Sequence, residues 1–123
     1  MKIKISALDK LFSNYVRWIR DRGECQRCHV KYITPSSSLH CSHFHGRRKK
    51  SARFDLDNVA AMCHGCHAWL TANPAAHVNF FMDRLGKLRY DCLTIRANSP
   101  GRPDYEAIRI WLKHEMKNAN INF

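Results

Sequence analysis

A chain of 123 residues, 45% hydrophobic and 25% charged, can build one modest core and has no low-complexity tract, which excludes a disordered or fibrous class. Its formal net charge of +11 favours a polyanionic partner, because each phosphate neutralised releases condensed counterions. No run approaches the ~20 apolar residues of a membrane span, and the polar start Met1-Lys2-Ile3-Lys4 lacks the apolar segment of a secretory signal, so a cytoplasmic chain with reduced thiols is expected.

In chain order, Ser6 is placed to cap a helix with the apolar stripe Leu8, Leu11, Phe12, Tyr15, Val16 and Ile19; Asp9 stands near the capping-box position and Gly23 just past the end. Lys10, Arg17 and Arg20 on its other face read as solvated, with phosphate contact as the alternative. Residues 24–34 carry a first cysteine pair in a turn, and Pro35-Ser36-Ser37-Ser38 reads as a loop. Leu39 to Phe44 suits a short strand. The basic run Arg47-Arg48-Lys49-Lys50 reads as a loop or hairpin tip, and Val59 to Met62 as a second apolar stretch, so a hairpin is predicted. A helix over Cys66 to Leu70 follows. Asn73-Pro74 opens another that ends at Gly86; Leu88 to Ala97 and Asp104 to Lys117 are the last two, with Asn98-Ser99-Pro100-Gly101 as a break between them. His77, the Phe80-Phe81 pair and Trp111 read as helix packing rather than as platforms for stacked bases. There is no internal repeat and no interdomain linker.

Two C-x-x-C pairs, Cys25/Cys28 and Cys63/Cys66, are separated by 34 residues. A two-residue turn brings both sulfurs of a pair to one side, so four soft ligands can enclose a tetrahedral zinc ion. Four sulfurs leave no open position for water, so this zinc is structural: it ties together the ends of the insert between the pairs. His29 and His64 lie beside the pairs as alternative ligands. Four thiolates around one Zn²⁺ leave a net charge of about +9, still strongly basic. No basic amphipathic anchor stands out, which favours nucleic acid over a membrane surface. Cys41 and Cys92 read as small buried residues.

The insert and its flanks hold Leu39-His40-Cys41-Ser42-His43-Phe44-His45-Gly46-Arg47, then Asp55-Leu56-Asp57-Asn58, then Cys63-His64-Gly65-Cys66-His67. This ordering resembles the HNH nuclease motif, a ββα-metal hairpin and helix, and is closest to the zinc-bearing HNH proteins in which the residue after the last cysteine binds the catalytic metal. The resemblance implies that His43 is the general base, that His67 binds a divalent cation (Mg, Mn, Ni or Zn), and that Asn58 orients the hairpin or the imidazole. His45 is the alternative base. Many HNH enzymes carry an acidic residue or a second histidine where this chain has Ser42. The remaining ligands are therefore left open among Ser42, His40, His45, Asp55, Asp57 and water. Arg47, Arg48, Lys49, Lys50 and Arg53 stand beside the base as candidate phosphate contacts.

More widely, the Leu11-Phe12-Ser13-Asn14-Tyr15-Val16-Arg17 helix, Ser42-His43-Phe44, Arg53-Phe54-Asp55, Asn58-Val59, Cys63-His64-Gly65-Cys66-His67 and Leu85-Gly86 are similar to the phage recombination endonucleases called NinG or Rap. That group acts on branched or recombining DNA. The expectation is thus an α+β fold. It consists of one domain over 1–123, with an N-terminal helix (1–23), a zinc-stapled ββα-metal core (24–73) and C-terminal helices (74–123). A divalent-metal-dependent DNA endonuclease, encoded by a phage or bacterium and acting as a possible homodimer, is the implied function. The other function class left open is a noncatalytic zinc module that binds nucleic acid through its basic hairpin.

Overall fold

The structure is a computed structural model describing residues 4–120; of the polar start, Met1 to Ile3 lie outside the described residues. Helix α1 (Ala7–Asn14) starts in a complete capping box. The Asp9 amide donates to Ser6 Oγ at 3.1 Å, and the Asp9 carboxylate accepts the Ser6 amide at 2.7 Å. The helix does not run unchanged to Gly23. It continues as a π-helical segment over Tyr15–Arg20 and closes at Gly23, whose φ of 73° lies in the left-handed region. A Cβ at Gly23 would stand 2.6 Å from the Tyr32 carbonyl oxygen, so both the backbone sign and the space require glycine.

Strands β1 (Leu39–His43) and β2 (Val59–Cys63) form one antiparallel hairpin in which Leu39 faces Cys63 and His43 faces Val59. Two single-turn 3-10 segments, Lys50–Ala52 and Leu56–Asn58, shape the connection between them. Helix α2 (His64–Ala72) follows β2 directly and begins two residues before the predicted Cys66; Cys63 Sγ accepts the Cys66 amide at its start. Helices α3 (Pro74–Leu85), α4 (Lys87–Ala97) and α5 (Tyr105–Ala119) match the three predicted C-terminal helices, with Pro74 at the first turn of α3 and Asp104 capping α5. The architecture is α+β, with a small two-stranded sheet among helices.

Two clusters of buried side chains pack against the hairpin. Cys41 and Val59 join Leu8, Phe12, Tyr15, Val16, Phe54 and Leu112, burying the apolar stripe of α1 and the inner face of α5. Leu39, Ala60, Ala61 and Met62 pack with Leu70, Phe81, Leu85 and Leu93 from α2, α3 and α4.

Arg17 and Arg20 overturn the expectation of a solvated helix face. Arg17 Nη1 donates to the carbonyls of Ser36 and Leu39, each at 3.1 Å, at the entry to β1. Arg20 donates to the carbonyls of Leu56 at 2.5 Å and Val59 at 2.6 Å, at the entry to β2. A guanidinium can serve several carbonyls at once, so these two residues tie the N-terminal helix to both strands through backbone groups that would otherwise lack partners. Buried Asp21 completes the joint by accepting the Ala61 amide at 2.8 Å and the guanidinium groups of Arg20 and Arg84.

Candidate functional site

The four cysteines converge. The Sγ atoms of Cys25, Cys28, Cys63 and Cys66 all lie within 4.8 Å of one another. Cys28 and Cys63 stand 3.7 Å apart, against about 3.8 Å for two sulfurs on a tetrahedral zinc with Zn–S of about 2.3 Å. The thiols cannot all ionise by themselves. Burial and then the neighbouring sulfurs push Cys66 up to about 12, against a pull from Arg27; Cys25, although burial opposes it, is brought down to about 6 by backbone N–H groups. A dication would resolve that competition, and the donor set fits a structural zinc site. The geometry that builds it is local. The Cys25 carbonyl accepts the His29 amide, His29 turns at φ 67°, and the Cys63–Cys66 pair sits on the first turn of α2. Cys41 is buried, its thiol pushed up to about 12 by that burial, as expected of a small packed residue. Cys92 is exposed on α4, contrary to expectation, because its helix turns that position away from Leu93 and the core.

Asn58 holds the hairpin. Its fully buried amide accepts the His45 backbone N–H at 2.8 Å and donates to the carbonyls of His45 at 2.9 Å and Ala52 at 3.0 Å. All three bonds go to the loop backbone, so of the two expected tasks the structure places Asn58 at the hairpin and not at an imidazole.

His43 ends β1 on the α1 side, with its ring 6.2 Å from that of Phe12. Its Nε2 lies 2.9 Å from the Arg53 carbonyl oxygen, which fixes the ring and identifies Nε2 as the protonated nitrogen; Nδ1 has no hydrogen-bond partner among the described residues. Burial, followed by the charge of Arg47, pushes His43 down to about 4 despite the Arg53 carbonyl. The ring is therefore neutral near pH 7, with Nε2 oriented by the Arg53 carbonyl and Nδ1 enclosed. Arg53 is itself held. Its guanidinium donates to Asp9 at 2.6 and 2.9 Å, and Asp9, although buried, is brought down to about 2, chiefly by Arg53. The chain Asp9–Arg53–His43 was not legible in the sequence, where Asp9 signalled only a helix cap and Arg53 a phosphate contact.

His67 projects from α2 toward His40 of β1. Its Nδ1 meets Nδ1 of His40 at 2.9 Å, and the His64 ring lies 5.4 Å from that of His40. Burial, and then the facing imidazoles, lowers both His40 and His67 below the ordinary histidine value, which favours the neutral, ligating form. His43 and His67 do not touch. Arg47 is the group that acts on both, depressing each imidazole. Its guanidinium lies 3.8 Å from Asp9, and its Nε is buried without a hydrogen-bond partner among the described residues.

The candidate additional ligands are dispersed. Ser42 is fully buried. His45 packs on Phe44 at 4.8 Å, its Nε2 enclosed and unpartnered among the described residues. Asp55 pairs with Arg96 at 2.6 Å, and Asp57 with Arg89 at 2.5 Å and Arg96 at 3.3 Å, so both carboxylates are committed to α4. Of the basic run, Lys49 reaches Asn98, while Arg48 and Lys50 lie on the exposed turn. His77 and Phe81 pack around Phe44, and Trp111 packs edge-on against Tyr15 at 5.0 Å, in line with a packing role.

No protein-family profile matches the chain, and no curated protein or solved structure is significantly similar to it. Among the described residues no helix is long and apolar enough to cross a membrane.

Proposed function

We propose that this chain is an HNH-type endonuclease that hydrolyses phosphodiester bonds in DNA with the help of a divalent cation. The observation that carries the reading is the neutral, oriented imidazole of His43, beside Arg47 and with an enclosed Nδ1 that has no hydrogen-bond partner among the described residues, at the end of a hairpin stapled by the cysteine cluster. A positioned neutral histidine next to an arginine is the combination that general-base attack on a phosphodiester uses.

In this reading His43 takes a proton from water as the water oxygen attacks phosphorus and the bond to the 3′ oxygen breaks. The Arg53 carbonyl holds the ring during that transfer and stabilises the imidazolium that results. Arg47 places positive charge near the phosphoryl oxygens. His67 would help hold the cation, whose contribution is to stabilise phosphate charge and the leaving oxygen. The cysteine cluster fixes the two ends of the hairpin and, through Cys66, the position of His67. Arg48, Lys49 and Lys50 extend the basic surface along the flanking backbone, so the affinity is for phosphate rather than for sequence. Branched recombination intermediates are the proposed preferred form, and a homodimer would let one site per chain cut both strands.

The test is a cleavage panel. Zinc-loaded protein is incubated with supercoiled plasmid, linear duplex, single-stranded DNA and a four-way junction, with Mg²⁺, Mn²⁺ or Ni²⁺. Nicking that EDTA abolishes supports the reading. Binding without cleavage in every combination would reduce the chain to a zinc module that binds nucleic acid.

A further inference from the structure

Helix α2 carries no lysine, arginine, aspartate or glutamate over His64–Ala72, although the chain as a whole has a formal net charge of +11. On its exposed side stands Trp69, 45% exposed and in neither buried cluster, with Ala68, Thr71 and Ala72 exposed beside it. The indole is nevertheless held. Arg27, from the turn between Cys25 and Cys28, lies over one face, its guanidinium carbon 4.3 Å from the ring centroid. Arg27 Nη1 donates to Cys66 Sγ at 3.4 Å, and Cys66 stands one helical turn before Trp69. Both halves of the stack therefore hang from the cysteine cluster, one from each pair. No second ring or cation stacks on Trp69 among the described residues.

A fixed planar aromatic surface with uncharged neighbours, in a chain whose charge attracts polyanions, suits an unpaired base of a nucleic-acid strand. The base stacks on the indole while the backbone takes the surrounding positive charge. A base within a duplex keeps its faces against its neighbours and cannot use such a surface. We propose that Trp69, braced by Arg27, is a stacking platform for an unpaired nucleobase and gives the chain a preference for DNA with a single-stranded portion over continuous duplex. Ala68 and Ala72, which flank Trp69 on the helix, also line the cleft of about 510 Å³ that holds His40, His64 and His67. A strand stacked on the indole thus adjoins the proposed reaction site. This deepens the nuclease reading by naming the form of its substrate, and rests on it only for the use made of the bound strand.

Binding is measured on zinc-loaded protein at moderate salt with no added divalent cation. The probes are an oligothymidylate of about 12 nucleotides, the matching deoxyribose-phosphate strand without bases, and a duplex of the same length. Oligothymidylate should quench the tryptophan emission, and the quench should be lost in Trp69→Phe and kept in Trp111→Phe. Trp69→Ala should weaken oligothymidylate binding at least about fivefold and leave the base-free strand and the duplex unchanged, with Trp69→Phe intermediate. Zinc content and circular dichroism show that each variant is folded; if Trp69→Ala does not hold zinc, the quench and its loss in Trp69→Phe decide. A quench indifferent to Trp69, or an equal loss on all three probes, overturns the proposal. Equal wild-type affinity for the strands with and without bases also overturns it, and leaves this face to a protein partner. The two readings separate cleanly. Trp69-dependent strand binding in a protein that cuts no DNA keeps the platform and removes the nuclease, whereas cleavage by a protein whose strand binding ignores Trp69 does the reverse.

Discussion

His43 carries the sharpest residue-scale consequences. Its folded value of about 4 lies below the ordinary histidine value of about 6.5, so protons bind the unfolded chain preferentially between those limits. The associated stability is fully present above pH 6.5 and is lost as pH falls toward 4, to an extent on the order of 3 kcal/mol. Denaturant midpoints of zinc-saturated protein at pH 7.5 and 5.0 should therefore differ less in His43→Gln than in the wild type; equal slopes would contradict the burial. His40, His45, His67 and His77 are shifted the same way, so the comparison with the variant isolates the His43 share. Asp9 makes a second prediction. Asp9→Asn leaves Arg53 without its buried carboxylate and should lower stability by about 3–5 kcal/mol, read from chemical denaturation. Asn58→Ala, with three backbone hydrogen bonds lost in a fully enclosed site, should cost at least about 2–3 kcal/mol by the same measurement.

At the scale of elements, the helices were legible because their signals are local: the Ser6–Asp9 capping box, Pro74 at a first turn, Asp104 as a cap. The hairpin was legible from two short apolar stretches around a basic turn. The π-helical segment Tyr15–Arg20 was not, because its residues keep the apolar spacing of an α-helix and the change in winding serves distant partners. Those partners are the strand carbonyls held by Arg17 and Arg20, about twenty to forty residues away, which no sequence window contains. Arg20→Met should consequently destabilise the joint between helix and hairpin, with earlier hydrogen exchange at the β2 amides than at those of α5 as the readout. Gly23→Ala should cost about 1–3 kcal/mol, since its φ of 73° and the Tyr32 carbonyl both exclude a Cβ; a neutral effect on the denaturant midpoint would contradict that account.

At the scale of the whole molecule, the cysteine cluster could be read from spacing because each pair is short. The partners of the other candidate site residues could not: Asp9 behind Arg53, His40 against His67, and Arg89 and Arg96 on the acidic residues all come from separate elements. Charge and fold also divide the work. In the proposed reading a net charge of +11 would draw DNA to the surface, while the cysteine cluster would tie the hairpin together, so Cys63→Ser should unfold the core and His43 substitutions should not. The most direct measurement is nicking of supercoiled plasmid by wild type and His43→Ala side by side, each shown by metal analysis and circular dichroism to be folded and zinc-loaded. The account predicts EDTA-sensitive nicking by the wild type and a loss of at least about a hundredfold in the variant. Equal nicking by both proteins, or none by either with Mg²⁺, Mn²⁺ or Ni²⁺, would contradict it.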